Sequence, residues 1–183
     1  MHFDADQTTL VWQSTKPGSR EILYLDHSNI PLLTAHYEAW KQQLTSTEPE
    51  FILFDLMHYL RTKIFDLSRC NRETVQTIVF QENAVMLPIE LFIEKRAGVC
   101  RHFAMASYYF FERMLADKII PITSIELERR IVAIDGYLGR HAWVSIYLEG
   151  NNRSFHFDPF WSIVVDSNNP EASDILKKAY DSQ

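Results

Sequence analysis

Arg96-Ala97-Gly98-Val99-Cys100-Arg101-His102-Phe103-Ala104 is the stretch on which the fold turns. Gly98 permits a close turn. Behind it Phe103, Ala104, Ser107, Phe110, Phe111, Met114 and Leu115 recur on a wide apolar face. The spacing predicts a long, largely buried helix from Cys100 to about residue 116, with Pro121 past its end. A thiol at the first position of a helix meets unpaired backbone N–H groups and the positive end of the helix dipole, and both favour the thiolate. The Cys100 N–H is also positioned to face an oxyanion. The same residue read alone is equally a small buried hydrophobe, so its neighbours in space have to decide.

Downstream, three strands are predicted. Residues 125–134 form the first, partly exposed because Glu126, Glu128, Arg129 and Arg130 interrupt it. Residues 141–148 alternate cleanly: Ala142, Val144, Ile146 and Leu148 on one face, His141, Trp143, Ser145 and Tyr147 on the other. Gly150-Asn151-Asn152 signals a turn, so residues 154–158 return antiparallel. That hairpin would bring Asp158 near His141, in a register that a one-residue slip would destroy. Asp158 lies among Phe155, Phe157, Phe160 and Trp161. A carboxylate in such surroundings needs a partner, and an imidazole N–H is one. Asp158-Pro159 is also compatible with a plain strand ending.

Upstream, residues 10–12 and 21–25 read as strands around the Lys16-Pro17-Gly18-Ser19 turn. Ser28-Asn29-Ile30-Pro31 reads as the start of a helix bearing Leu33, Tyr37, Trp40 and Leu44. Thr47 and Pro49 open a second helix with Ile52, Leu53, Leu56, Leu60 and Ile64 on its apolar face. Asn71 caps a third bearing Val75, Ile78 and Val79. Pro88 opens a short helix over 89–95 that Gly98 ends. The tail from Ser167 is polar and reads as a loop plus a short helix. The expectation is one α+β domain over 1–183, with a core at about 88–166 and a mainly helical first half at about 8–81.

Composition narrows the function. The chain has 183 residues, 46% of them hydrophobic, and a net charge of -6, which supports a substantial core and offers no basic stripe for nucleic acid. No run is long enough to span a membrane, so no membrane partner is expected. The start, Met1-His2-Phe3-Asp4-Ala5-Asp6, is too polar for a secretory signal, and the expected compartment is the cytoplasm, with export by an uncleaved route open. Two cysteines, Cys70 and Cys100, make neither a disulfide framework nor a zinc cage. No metal or cofactor is expected, and Cys70 reads as a free, partly buried thiol. Nothing in the sequence specifies an oligomeric state.

With Gly98-Val99-Cys100, His141-Ala142-Trp143-Val144 and Asp158-Pro159 in that order, the segment 88–166 resembles the transglutaminase-like branch of the papain-like cysteine enzymes. The Ile89-Glu90-Leu91-Phe92-Ile93 helix is similar to the family's lead-in. The resemblance implies a Cys-bearing central helix packed on an antiparallel sheet. It implies Cys100 as nucleophile, His141 as base and acid, and Asp158 as the group that orients His141. It further implies attack on a carbonyl and an acyl-thioenzyme resolved by water or an amine. The family's upstream tryptophan has no counterpart, since no Trp lies between Trp40 and Trp143. Gln76 and Gln81 are the nearby glutamines, and a second oxyanion donor stays unassigned. His102 reads as a partly exposed first-turn residue, although it and His156 are also candidates for supporting or substrate contacts. Arg101 and Arg140 read either as solvated surface or as contacts to a substrate carboxylate.

Three functions compete. The first is a thiol amide hydrolase, a cysteine protease or deamidase acting on a peptide or protein substrate. The second is an acyltransferase with an amine acceptor, a transglutaminase foremost. Arylamine N-acetyltransferases expect a different sequence after the Asp, and peptide N-glycanases carry zinc-binding cysteine pairs that this chain lacks. The third is a protein-binding module that keeps the fold without turnover.

Overall fold

Pro31 and Pro49 stand at the first turns of the first two helices, where a fixed φ is an advantage and a missing N–H costs nothing. The computed structural model describes residues 2–3, 9–12, 21–134, 137–150 and 153–181. Helix α1 (Pro31–Lys41) buries Leu33, Tyr37 and Trp40 at helical spacing. Ser28 does not cap it. Ser28 closes a turn on Asp26, and the helix's Leu32 and Leu33 N–H groups are instead satisfied by the distant Glu90 carboxylate, each at 2.9 Å. Helix α2 (Pro49–Tyr59) runs on into a π-helical turn (Leu60–Ile64), and all five predicted apolar residues are buried. Helix α3 (Arg72–Glu82) is capped as expected, the Asn71 side chain accepting from the Thr74 N–H at 2.8 Å.

Helix α4 (Ile89–Glu94) is stopped by Arg96, in the left-handed region at φ 51°, and not by Gly98. Gly98 has another task. A Cβ there would lie 2.8 Å from His102 Cβ and 3.1 Å from Phe65 Cε1, so only glycine lets the chain enter the next helix this closely. That helix, α5 (Cys100–Ala116), has the predicted bounds, and Leu115 alone of its predicted apolar face is exposed.

Two four-stranded sheets flank these helices. In the first, β1 (His2–Phe3), β2 (Thr9–Trp12) and β3 (Ile22–Asp26) pair antiparallel, and β4 (Met86–Pro88) joins β3 in parallel. The predicted 16–19 turn lies outside the described residues. The second sheet is antiparallel throughout: β5 (Ile122–Ile134), β6 (Tyr137–Leu148), β7 (Ser154–Asp158) and β8 (Ile163–Asp166). The β6–β7 register sets Val144 against Phe157 and Ile146 against Phe155, which keeps the apolar set on one face. Of the turn before β7, Asn151 and Asn152 lie outside the described residues.

Helix α5 packs on β5, β6 and β7 and also meets α1 and α4, so the Cys-bearing helix lies across an antiparallel sheet in an α+β fold. Its Phe110 and Phe111 join Trp40, Leu56, Val144 and Phe157 in one continuous core. The opposite face of β6 is not open to solvent at His141 and Trp143. The terminal helix α6 (Ala172–Asp181) packs against β5 and β8, and its Tyr180 covers His141 and Trp143. Among the described residues, no helix is long and apolar enough to cross a membrane.

Candidate active site

Cys100 is the first residue of α5, half-buried. The turn that delivers it is held by His102. The His102 N–H donates to the Val99 carbonyl at 2.8 Å, while its Nδ1 accepts from the Val99 N–H at 3.1 Å. His102 is fully buried, which corrects the expectation of an exposed first-turn residue. Burial, with the charge of Arg101, holds its pKa well below the usual range, so it is neutral and free to accept at Nδ1. Its proton then sits on Nε2, 3.5 Å from Glu21 Oε1. Glu21 is also gripped by the Arg101 guanidinium, with Nε at 2.7 Å and Nη2 on the same oxygen. The start of the Cys helix is thereby tied to the residue just before β3.

His141 and Asp158 are brought together by the β6–β7 pairing: His141 Nε2 lies 2.5 Å from Asp158 Oδ2. Both are almost completely buried. The Cys100 side chain lies beside the same imidazole and interacts with it. Burial alone would lower the His141 pKa, but the bonds and charges of Asp158 and Cys100 outweigh it and raise it to about 9. Trp143, Phe160, Trp161 and Tyr180 surround the ring, with centroids 5.4 to 6.3 Å away. They keep water from the imidazole–carboxylate bond, which strengthens it.

Asp158 is further fixed by two donors that the sequence reading missed. The Tyr180 hydroxyl donates to Oδ2 at 2.9 Å, and the Trp161 N–H to Oδ1 at 3.3 Å. Tyr180 accepts in turn from His156 Nε2 at 2.7 Å. Burial drops the His156 pKa to about 4, so this ring is neutral. The loop after Asp158 is pinned by Arg61, whose Nη1 donates to the Pro159 carbonyl at 2.6 Å and the Phe160 carbonyl at 2.9 Å. A signal for Tyr180 existed: Ala172, Leu176 and Tyr180 recur every four residues.

Cys100 and His141 open on a cavity of about 410 Å³, also lined by Val75, Val99, Phe160 and Trp161. Arg101 and Arg140 line it as well, so neither is merely solvated surface. Of the two glutamines, Gln76 lines the cavity, whereas Gln81 is exposed further along α3. Cys70 is a free thiol in the same cavity wall, its pKa pushed by burial to about 11. A thiol, an imidazole and a buried carboxylate in series can form a thiolate–imidazolium pair, attack a carbonyl and pass a proton to a leaving group. The chain matches no family model, no curated protein and no solved structure.

Proposed function

We propose that this chain is a thiol-dependent amide hydrolase, a cysteine protease or deamidase, on a transglutaminase-like, papain-type core. One observation carries the reading: the imidazole hydrogen-bonded to the Asp158 carboxylate lies beside the Cys100 thiol at the wall of an open cavity. In this reading Cys100 gives its proton to His141 and attacks a peptide carbonyl. The oxyanion forms beside the Cys100 N–H at the helix start. His141, as imidazolium, protonates the leaving amine and leaves a thioester on Cys100. It then takes a proton from water, which hydrolyses the thioester and frees the thiol. Asp158 keeps the ring in the tautomer and orientation that these transfers need.

The test is incubation with a peptide library, with and without an added primary amine, read by mass spectrometry against Cys100→Ala. Cleavage or deamidation that needs Cys100 supports the hydrolase. An amine adduct that outcompetes hydrolysis would reassign it as an acyltransferase. No Cys100-dependent change with any acceptor would leave the protein-binding module as the better account.

A further inference from the structure

We infer that the polypeptide accepted at Cys100 also docks outside the cavity, on an apolar ledge formed by Phe80, Val85 and Met86, and carries an apolar side chain a few residues from its reacting carbonyl. This rests on Cys100 being the nucleophile and names the substrate class for that same site: an extended peptide, not a small molecule held by the cavity alone. Phe80 is 86% exposed, Val85 71% and Met86 50%. Apolar surface gathered in this way marks a contact site.

Two connections tie the ledge to the cavity. The first runs along α3. Arg72, Val75 and Gln76 line the cavity from this helix. Phe80 stands one turn past Gln76, about 6 Å further along the axis and about 40° round it. The second runs across the first sheet. Glu21 lines the cavity, and the N–H of the next residue, Ile22, donates to the Val85 carbonyl at 2.8 Å. Ile22 also pairs with Met86, and paired strands lie about 4.8 Å apart. Asn83, in the left-handed region at φ 49°, turns the chain from α3 towards β4, so both routes arrive at one place on the surface. An extended chain advances about 3.3 Å per residue, so a peptide leaving the cavity past Gln76 reaches Phe80 about two residues on. Neither the chemistry at Cys100 nor the fold calls for these exposed side chains, since α3 is anchored by its buried Val75 and Ile78. A peptide running on from the cavity would bury them.

The test uses Cys100→Ala, which binds without turning over, and a library of short acetylated, amidated peptides of random sequence. Bound peptides are separated by rapid gel filtration and sequenced by mass spectrometry. We expect them to carry a large apolar residue at a fixed place. Phe80→Ser with Met86→Ser in that background should weaken their binding about tenfold, the effect of losing one buried apolar side chain. Phe51→Ser, which removes an exposed aromatic on α2 that does not line the cavity, should leave binding unchanged. In the wild type the same peptides should shield Cys100 from iodoacetamide, and their counterparts with serine at that place should not. No bound peptide, no apolar preference, equal binding by the ledge variant, or binding that leaves Cys100 unshielded overturns the inference. So does a dimer that the ledge variant dissolves, because a second copy of the chain then covers the ledge. Failure of the nucleophile reading looks different: Cys100 in the peptide-free chain would react with iodoacetamide at the same rate in wild type and His141→Ala, whatever the ledge binds.

Discussion

Tyr180 and His141 bind the same oxygen of Asp158, at 2.9 and 2.5 Å. Two donors on one oxygen hold the carboxylate in a single orientation, so the imidazole it aims is held too. Tyr180→Phe removes one of them and leaves His156 Nε2 without its acceptor. We predict a loss of about 1–2 kcal/mol in stability and roughly a tenfold fall in turnover, since a second-rank hydrogen bond to a catalytic ligand is worth about that much or more. Thermal melts and turnover on the same preparation check both. Unchanged turnover in a destabilised variant would make the tyrosine purely structural.

In the proposed mechanism, His141→Ala removes the base. Turnover should drop by about 10²–10⁴-fold, while circular dichroism still reports a folded chain. Near-full activity in this variant would mean that Cys100 is served by another group or is not the nucleophile.

The same histidine makes stability depend on pH. Its pKa rises from the ordinary 6.5 to about 9, burial opposing the shift and Asp158 and Cys100 driving it. Between those values the folded chain keeps a proton that the unfolded chain has released. The stabilisation is therefore whole below pH 6.5 and is lost as the pH climbs through about 9. It is on the order of 3 kcal/mol. Wild-type melting temperature should fall more steeply over this window than that of His141→Gln, and parallel curves would refute the coupling.

Gly98→Ala places a methyl 2.8 Å from His102 Cβ and 3.1 Å from Phe65 Cε1. Neither neighbour sits at the free end of a flexible chain, so the backbone entering α5 must move. We predict a cost of about 1–3 kcal/mol and a change in Cys100 alkylation rate, measured against Cys70 in the same digest. A stable variant with unaltered Cys100 reactivity would show that the close approach is unnecessary.

Glu21→Ala strands the largely buried Arg101 guanidinium and removes the carboxylate facing His102. The expected loss is about 3 kcal/mol, because a buried charge is left without its partner. The double variant Glu21→Ala, Arg101→Ala should recover part of it in denaturant melts. If the double variant is the weaker by the full sum of the two singles, the pair is not coupled.

Much of the scaffold was legible in the sequence because its signals are local. The run from Cys100 carries its own helical period, and β6 carries its own alternation. Strands β4 and β8, with three and four residues, are too short to show a period, and the sequence reading missed both. Strand β5 begins at Ile122, three residues before the predicted start. The burial of His141 and Trp143 was hidden for another reason: alternation puts them opposite the core, and what covers them comes from α6. The Arg61 grip and the Glu21–Arg101 pair had no local signal, since each joins residues eighty or more positions apart.

Those long-range ties bear on how quickly the molecule forms. Arg61 reaches across 98 positions to Pro159, Arg101 across 80 to Glu21, and Arg153 across 103 to Glu50. Each closes a long loop whose entropy must be met before the contact gives anything back. Local helices can form early, but Cys100, His141 and Asp158 meet only after these loops have shut. Reactivity of Cys100 should therefore be the slowest signal to return when the unfolded chain is allowed to refold, well behind recovery of helical content.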